Sequence, residues 1–149
     1  MEPAVRELLD AADDPDHAEH PPGFDWPALH TRVAALQPVL GRVAGRPFVL
    51  DDGAQDASFF ADLSIQTPGE RPNWIDTVFA VRFSNFGDLF TTWGHGPERL
   101  PEAVTAELVA AVESAGFRFV PPVALEEPYT GRYPGFRSST WWIRFFDYL

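Results

Sequence analysis

The chain has 149 residues, 45% of them hydrophobic and 22% charged, which is typical of one globular domain rather than of a disordered chain. It contains no cysteine, which excludes disulfides, thiol catalysis and thiolate metal sites, and no apolar run approaches the roughly 20 residues that a membrane span requires. The net charge is −11 and all 11 basic residues are arginine, so the chain repels nucleic-acid phosphates but is compatible with a basic protein partner.

The first part of the chain predicts a short helix followed by an acidic connector. Residues 3–12 have the spacing of an amphipathic helix, and the prolines that follow break the chain into a polar connector. Residues 1–25 hold eight of the 22 acidic residues but one arginine. We expect residues 1–23 to be peripheral, to increase solubility and to be dispensable for folding.

The connector carries carboxylates and imidazoles, which are side chains that bind divalent metals. They are Asp13, Asp14, Asp16, His17, Glu19 and His20. Because prolines interrupt the segment, nothing holds these side chains in a fixed geometry. We predict a solvated connector and no metal site.

A second helix is predicted to begin at Asp25, a suitable N-cap, and to end at Gly41. After it, apolar and polar residues alternate with the two-residue period of a sheet that has one buried face. The predicted strands are residues 47–50, 59–66, 75–83 and 89–93. A third helix over 101–115, a strand over 117–120 and a long loop over 121–138 follow.

The last ten residues hold five of the chain's 21 aromatic rings, so we predict that they form a strand docked into the fold. A strand would divide them into two faces. One face carries Trp141, Ile143 and Phe145, and the other carries Trp142, Arg144, Phe146 and Tyr148. Aromatic rings with an interleaved arginine are typical of binding hot spots. The second face is therefore a candidate partner-binding surface, unless a helix or the 121–138 loop covers it.

These elements predict one α+β domain over residues 1–149. It should contain a mainly antiparallel β-meander sheet of about five to six strands, with two or three helices packed on one face.

His95 lies between two glycines directly after a predicted strand, a position from which a loop can present a proton-transferring side chain. It is a weak catalytic candidate, because a lone histidine in a turn is usually a surface residue. A ligand pocket around it would draw on Trp93, His95, Arg82, Tyr129 and Tyr133.

The sequence contains no P-loop, dinucleotide-binding, nucleophile-elbow or zinc-protease motif. We predict a small acidic cytoplasmic protein-binding module of the inhibitor, immunity or adaptor type, with no catalytic chemistry and no cofactor. The alternative is a small-molecule enzyme or ligand-binding protein with a pocket near His95. A closed pocket holding His95 and an arginine would favour the alternative, and a shallow aromatic patch would favour the module.

Overall fold

Helices lie on both sides of a β-sheet in the computed structural model, which describes residues 1–52 and 61–147. In chain order the elements are α1 (Pro3–Ala12), α2 (Trp26–Ala44), β1 (Val49–Asp51), β2 (Ala61–Pro68), β3 (Ile75–Phe83), β4 (Leu89–Trp93), α3 (Glu102–Ser114), β5 (Arg118–Phe119), α4 (Pro122–Leu125) and α5 (Trp141–Phe145), with a 3-10 turn at Pro134–Phe136. This arrangement confirms the predicted α+β class. The first two residues of the predicted 59–66 strand, Phe59 and Phe60, lie outside the described part of the chain.

The five strands are hydrogen-bonded in chain order, from β1 at one edge to β5 at the other. The strands from β1 to β4 run antiparallel to their neighbours, as the short connections predict, and β5 runs parallel to β4. A parallel neighbour requires a long crossover, which α3 supplies. Asp62 of β2 lies opposite Arg82 of β3, and Arg82 lies opposite Thr91 of β4, so these polar side chains share one face of the sheet.

Helix α2 begins where the sequence predicts. Asp25 Oδ1 accepts a hydrogen bond of 3.0 Å from the backbone N–H three residues later. The predicted end at Gly41 is wrong, because the helix continues to Ala44 and ends at Gly45, which has a left-handed φ of 65°. Four buried residues at helical spacing hold the helix against the sheet and outweigh the local preference to stop. They are Leu29, Val33, Leu36 and Leu40.

Two hydrophobic cores lie on opposite faces of the sheet. The larger core packs α2 and α3 against β2, β3 and β4, and the smaller core packs α1, α4 and α5 against the β4–β5 end. Phe90 belongs to the larger core and Leu89 to the smaller one, and successive strand residues point to opposite faces. The polar side of β2 is not exposed as its alternation predicts, because Asp62 and Ser64 are both buried.

The predicted strand at the end of the chain is wrong, because Trp141–Phe145 form helix α5. Thr140 caps the helix, with its Oγ1 accepting a hydrogen bond of 3.4 Å from the Ile143 backbone N–H. Helical spacing places Trp141, Arg144 and Phe145 on one side, and all three are buried. The division into two strand faces does not apply, since Arg144 points into the smaller core together with Trp141.

The first 23 residues are not peripheral. Leu9 of α1 is fully buried in the smaller core, and Asp13 is buried just after the helix ends. Val5 and Leu8 pack against the same core from the apolar side of α1. The charge of residues 1–23 predicted that they are dispensable for folding. Their packing predicts instead that the fold needs them.

Candidate functional site

A buried ion pair joins the acidic connector to α5. Arg144 Nε donates to Asp13 Oδ1 at 2.8 Å, and both side chains have 0% exposure. The Arg144 Nη atoms donate to three backbone carbonyls of the connector at 2.8 to 3.0 Å, those of Asp14, His17 and Ala18. The guanidinium carbon also lies 4.4 Å from the ring centroid of Phe86. Hydrogen bonds from all three nitrogens are what a buried guanidinium needs to offset its lost hydration.

The other carboxylate oxygen of Asp13 is bound by the loop that precedes α5. Asp13 Oδ2 accepts hydrogen bonds from the Tyr129 hydroxyl at 2.7 Å and from the Arg132 backbone N–H at 2.6 Å. The Tyr129 hydroxyl in turn accepts a hydrogen bond of 2.7 Å from the Tyr133 backbone N–H. Burial, together with the hydrogen bond to Asp13, raises the pKa of Tyr129 to about 12. Asp13, Arg144, Tyr129, Arg132 and Tyr133 therefore form one hydrogen-bonded group, which we call the Asp13 cluster. Its hydrogen bonds join the connector to α5 and to the loop that precedes α5.

The four residues predicted to bind a partner do not form one exposed face. Arg144 and Phe146 are buried, Trp142 is half-buried, and Tyr148 lies outside the described residues. Arg82 lies over Trp142, with its guanidinium carbon 5.6 Å from the ring centroid, and donates to the Phe146 carbonyl at 3.3 Å. Cover within the monomer, the alternative that the sequence left open, accounts for Phe146 and for part of Trp142.

A second ion pair lies on the sheet face that carries the smaller core. Arg82 Nε donates to the two carboxylate oxygens of Asp62 at 2.9 and 3.0 Å, and its Nη2 donates to Oδ2 at 2.7 Å. Trp93 Nε1 donates to the same Oδ2 at 3.3 Å, and the Arg82 guanidinium carbon lies 5.1 Å from the Trp93 ring centroid. Burial raises the pKa of Asp62 above its ordinary value, and the hydrogen bonds from Arg82 offset part of that rise. We call Trp93, Asp62 and Arg82 the Trp–Asp–Arg triad.

His95 is exposed just after β4, and its ring is bound to the backbone of β3. Its backbone N–H donates to the Thr77 carbonyl at 2.8 Å, and its Nδ1 accepts from the Thr77 N–H at 3.1 Å. The neutral ring must therefore carry its proton on Nε2. The Trp93 and His95 rings meet edge to face, with centroids 5.8 Å apart. The structure thus brings His95, Trp93 and Arg82 together, away from the two tyrosines predicted to join them.

Trp74 and Ile75 are exposed at the tip of the β2–β3 hairpin, with 54% and 55% of their surfaces accessible. The tip is a tight turn in which the Trp74 N–H donates to the Arg71 carbonyl at 3.0 Å and Asn73 has a φ of 64°. The sequence-based prediction missed these residues. The available signal was a tryptophan that directly follows a proline-containing turn, where no face of either strand needs it for a core.

The Trp74 ring contacts two other residues of its hairpin. Its Nε1 donates to Asp76 Oδ1 at 3.0 Å. Its Cδ1 edge lies against Gly69, where an added Cβ would lie 2.3 Å from Trp74 Cδ1. The Gly69 N–H also donates to the Trp74 carbonyl at 2.8 Å across the hairpin. A side chain at this position would force the ring to shift.

Trp74 lines a groove between the hairpin tip and the loop after β4, which we call the hairpin groove. It has a volume of about 520 Å³ and is lined by Glu70, Arg71, Trp74, Asp76, Gly96 and Pro97. An adjoining groove of about 370 Å³ shares Glu70 and Asp76 and extends to His95 and Glu98. An exposed indole bordered by carboxylates can bind a cationic group through the ring face and through ion pairing.

The carboxylate of Asp14, a candidate metal ligand of the connector, is used by the local fold. Asp14 Oδ1 accepts hydrogen bonds from the backbone N–H groups of Asp16 and His17 at 2.8 and 3.0 Å, and lies 2.9 Å from His17 Nδ1. The hydrogen bond from the Asp16 backbone holds the pKa of Asp14 below its ordinary value, with help from the His17 side chain. Across residues 1–52 and 61–147, no group of three or more acidic or histidine side chains is arranged to hold a metal ion. None of the helices described over the same ranges combines the length and apolar character needed to cross a membrane.

Comparison with models of known protein families, with curated proteins and with solved structures finds no match to this chain in any of the three. Its function is therefore inferred from its own geometry and chemistry.

Proposed function

We propose that this chain is a small cytoplasmic protein-binding module, without catalytic chemistry, that docks a basic protein partner at the hairpin groove. The observation that carries the proposal is the exposed ring of Trp74, hydrogen-bonded to Asp76, beside the exposed Ile75. Tryptophan is among the residues most enriched at binding hot spots. A ring that is already ordered loses little conformational freedom when a partner covers it, so more of the contact energy remains as affinity.

The charge of the chain supports a basic partner. The net charge is −11, and the carboxylates of Glu70 and Asp76 border the Trp74 ring in the groove. An acidic surface attracts a basic protein over distance and raises the association rate, an effect that salt weakens. The absence of cysteine suits a reducing cytoplasm.

The alternative, a small-molecule enzyme or ligand-binding protein with a pocket near His95, has less support. The Nδ1 atom of His95 is bound to a backbone N–H, and the Arg82 guanidinium is bound to Asp62. Tyr129 and Tyr133 lie in the other ion-pair cluster, so the set that would line such a pocket is divided between two regions.

Affinity capture from the native host tests the proposal, with the wild type, Trp74→Ala and Val123→Ala as baits. Val123 on α4 is the matched control, because it is an apolar residue with 72% exposure that does not line the groove. We expect at least one protein that the wild type and Val123→Ala retain and that Trp74→Ala loses.

The captured protein is then purified and its affinity for each variant is measured. Loss of a hot-spot tryptophan costs about 2 kcal/mol or more, so Trp74→Ala should weaken binding at least about 30-fold. The association rate should fall as salt rises. Equal affinity for the wild type and Trp74→Ala, or the absence of any retained protein that depends on Trp74, would overturn the proposal.

A further inference from the structure

We infer that the hairpin groove binds the guanidinium group of an arginine side chain of the partner, laid on a face of the Trp74 ring and paired with the Asp76 carboxylate, in a groove that Glu70 also lines. The inference rests on the proposed function and specifies which chemical group its site takes.

The fold already contains this arrangement once, in the Trp–Asp–Arg triad. There the Trp93 Nε1 donates to Asp62, and Arg82 binds the same carboxylate while its guanidinium lies over the same ring. The indole N–H fixes the carboxylate beside the ring, and the carboxylate holds the guanidinium against the ring face. A cation on an aromatic face is stabilised by the ring quadrupole, and the paired carboxylate adds an ion pair.

The hairpin repeats two of the three members of the triad. Trp74 Nε1 donates to Asp76 Oδ1 at 3.0 Å, as Trp93 donates to Asp62. Within residues 1–52 and 61–147, no arginine side chain is hydrogen-bonded to Asp76 or lies over the Trp74 ring. The position that corresponds to Arg82 of the triad is therefore open to an arginine from another molecule.

The geometry leaves part of the ring accessible to that arginine. Gly69 lies against the Cδ1 edge of Trp74, and 54% of the residue is exposed. Asp76 Oδ2 takes no part in the bond to Trp74, and the carboxylate lies close to Gly96. Glu70 lines the same groove and adds a second carboxylate, and Arg71 lines it as well, so the charged lining is two carboxylates and one guanidinium, a net negative charge.

Arginine fits this site better than lysine. A guanidinium is planar, so it can stack on an indole while its N–H groups donate sideways to carboxylates. A lysine ammonium is a compact and strongly hydrated point charge that cannot stack. The groove should therefore discriminate between the two cations, and it should reject a neutral group of the same shape.

Three small probes test the inference on the intact protein: Nα-acetyl-arginine amide, its neutral isostere Nα-acetyl-citrulline amide, and Nα-acetyl-lysine amide. Each is titrated into ¹⁵N-labelled protein while the indole N–H signal of Trp74 is followed by NMR. The signal is assigned by its loss in Trp74→Phe, and the Trp93 indole, already covered by Arg82, serves as an internal control.

We expect a saturable shift of the Trp74 signal with the arginine probe, at least threefold weaker binding of the lysine probe, and no saturable shift with the citrulline probe. A citrulline response equal to that of arginine would show that charge is not recognised and would overturn the inference. The absence of a saturable arginine response would also overturn it. Both outcomes are measured on the wild-type protein, and Trp74→Phe serves only to assign the signal.

Two variants test whether the Asp76 and Glu70 carboxylates bind the arginine probe. Asp76→Asn retains an oxygen acceptor for the Trp74 N–H but loses the negative charge, and Glu70→Gln removes the second charge. Each should weaken binding of the arginine probe at least threefold. Glu107→Gln, an exposed position of α3, is the matched control and should leave binding unchanged. Unchanged binding by Asp76→Asn would contradict the inference.

The failure of the inference can be distinguished from the failure of the proposed function. If a captured partner depends on Trp74 but the arginine probe does not bind, the arginine site is wrong and the binding module stands. If the arginine probe binds as expected but no protein depends on Trp74, the binding module is wrong and the arginine site stands.

Discussion

Asp13→Asn should destabilise the protein strongly, because it removes one partner of a fully buried ion pair. The substitution keeps the size of the side chain but places an amide where three donors converge, from Arg144, Tyr129 and the Arg132 backbone. The Arg144 guanidinium is then left without its counter-ion at 0% exposure. Removing one partner of a buried pair typically costs about 3–5 kcal/mol. That is a large share of the roughly 5–15 kcal/mol by which domains are stable.

The effect should be visible in thermal unfolding followed by circular dichroism. For a domain of this size 1 kcal/mol corresponds to about 3 °C, so the melting temperature should fall by roughly 10–15 °C. Asp16→Asn is the matched control, because it makes the same charge change at an exposed position of the same connector. The control should stay within about 0.5 kcal/mol of the wild type.

Two further measurements separate the ion pair from general damage. High salt should leave the difference between Asp13→Asn and Asp16→Asn nearly unchanged, because buried charges are screened little. The double variant Asp13→Asn with Arg144→Met should be less destabilised than the sum of the two single variants, since it leaves no unpaired charge. If Asp13→Asn melts within about 2 °C of Asp16→Asn, less than about 1 kcal/mol, the pair does not hold the connector in place and the reasoning is refuted.

Three more predictions follow from the packing and the charge. A chain that starts at Phe24 should lose the cooperative melt of the full chain, because the truncation removes the buried residues Leu9 and Asp13. A melting temperature within about 5 °C of that of the full chain would contradict this prediction. In an alkaline titration at 295 nm, Tyr129 should ionise near pH 12, well after an unperturbed tyrosine, and Tyr129→Phe should remove that late step. Because the folded-state pKa is raised from 10.0, stability linked to Tyr129 should be complete below pH 10 and lost as the pH rises to about 12. A gel shift at low salt should show no binding to DNA or RNA, and micromolar retention of either would refute the charge argument.

The middle of the fold could be predicted from the sequence because its signal is local. Strands β3 and β4 have the predicted bounds, since two-residue alternation over Ile75–Phe83 and Leu89–Trp93 requires no knowledge of distant residues. The start of α2 was also predictable, because the Asp25 cap is encoded within one turn of helix.

The end of the chain could not be predicted in the same way. A helix of five residues is too short for its periodicity to be distinguished from a strand, and rings at consecutive positions fit either pattern. The decisive contact is between Arg144 and Asp13, which are 131 residues apart in the sequence. The concentration of acidic residues predicted that Asp13 lies in a solvated connector. That local pattern carries no information about the buried Arg144 guanidinium that pairs with Asp13.

The candidate site was predicted in part. His95 lines the groove that adjoins the hairpin groove, the Trp93 ring contacts His95, and Arg82 lies over Trp93. Trp74 was missed because exposure depends on how far the hairpin extends beyond the cores, which the alternation of β2 and β3 does not encode.

The Asp13–Arg144 pair also fixes when the fold can be completed during synthesis. A ribosome adds about 5–20 residues per second, so Asp13 precedes the residue that neutralises it by about 7 to 26 s. During that interval the connector is held by neither its ion pair nor α5, and Leu9 has no α5 to cover it. The growing chain is thus exposed to proteases and to binding by chaperones around Leu9 and Asp13, and that exposure stops when α5 docks.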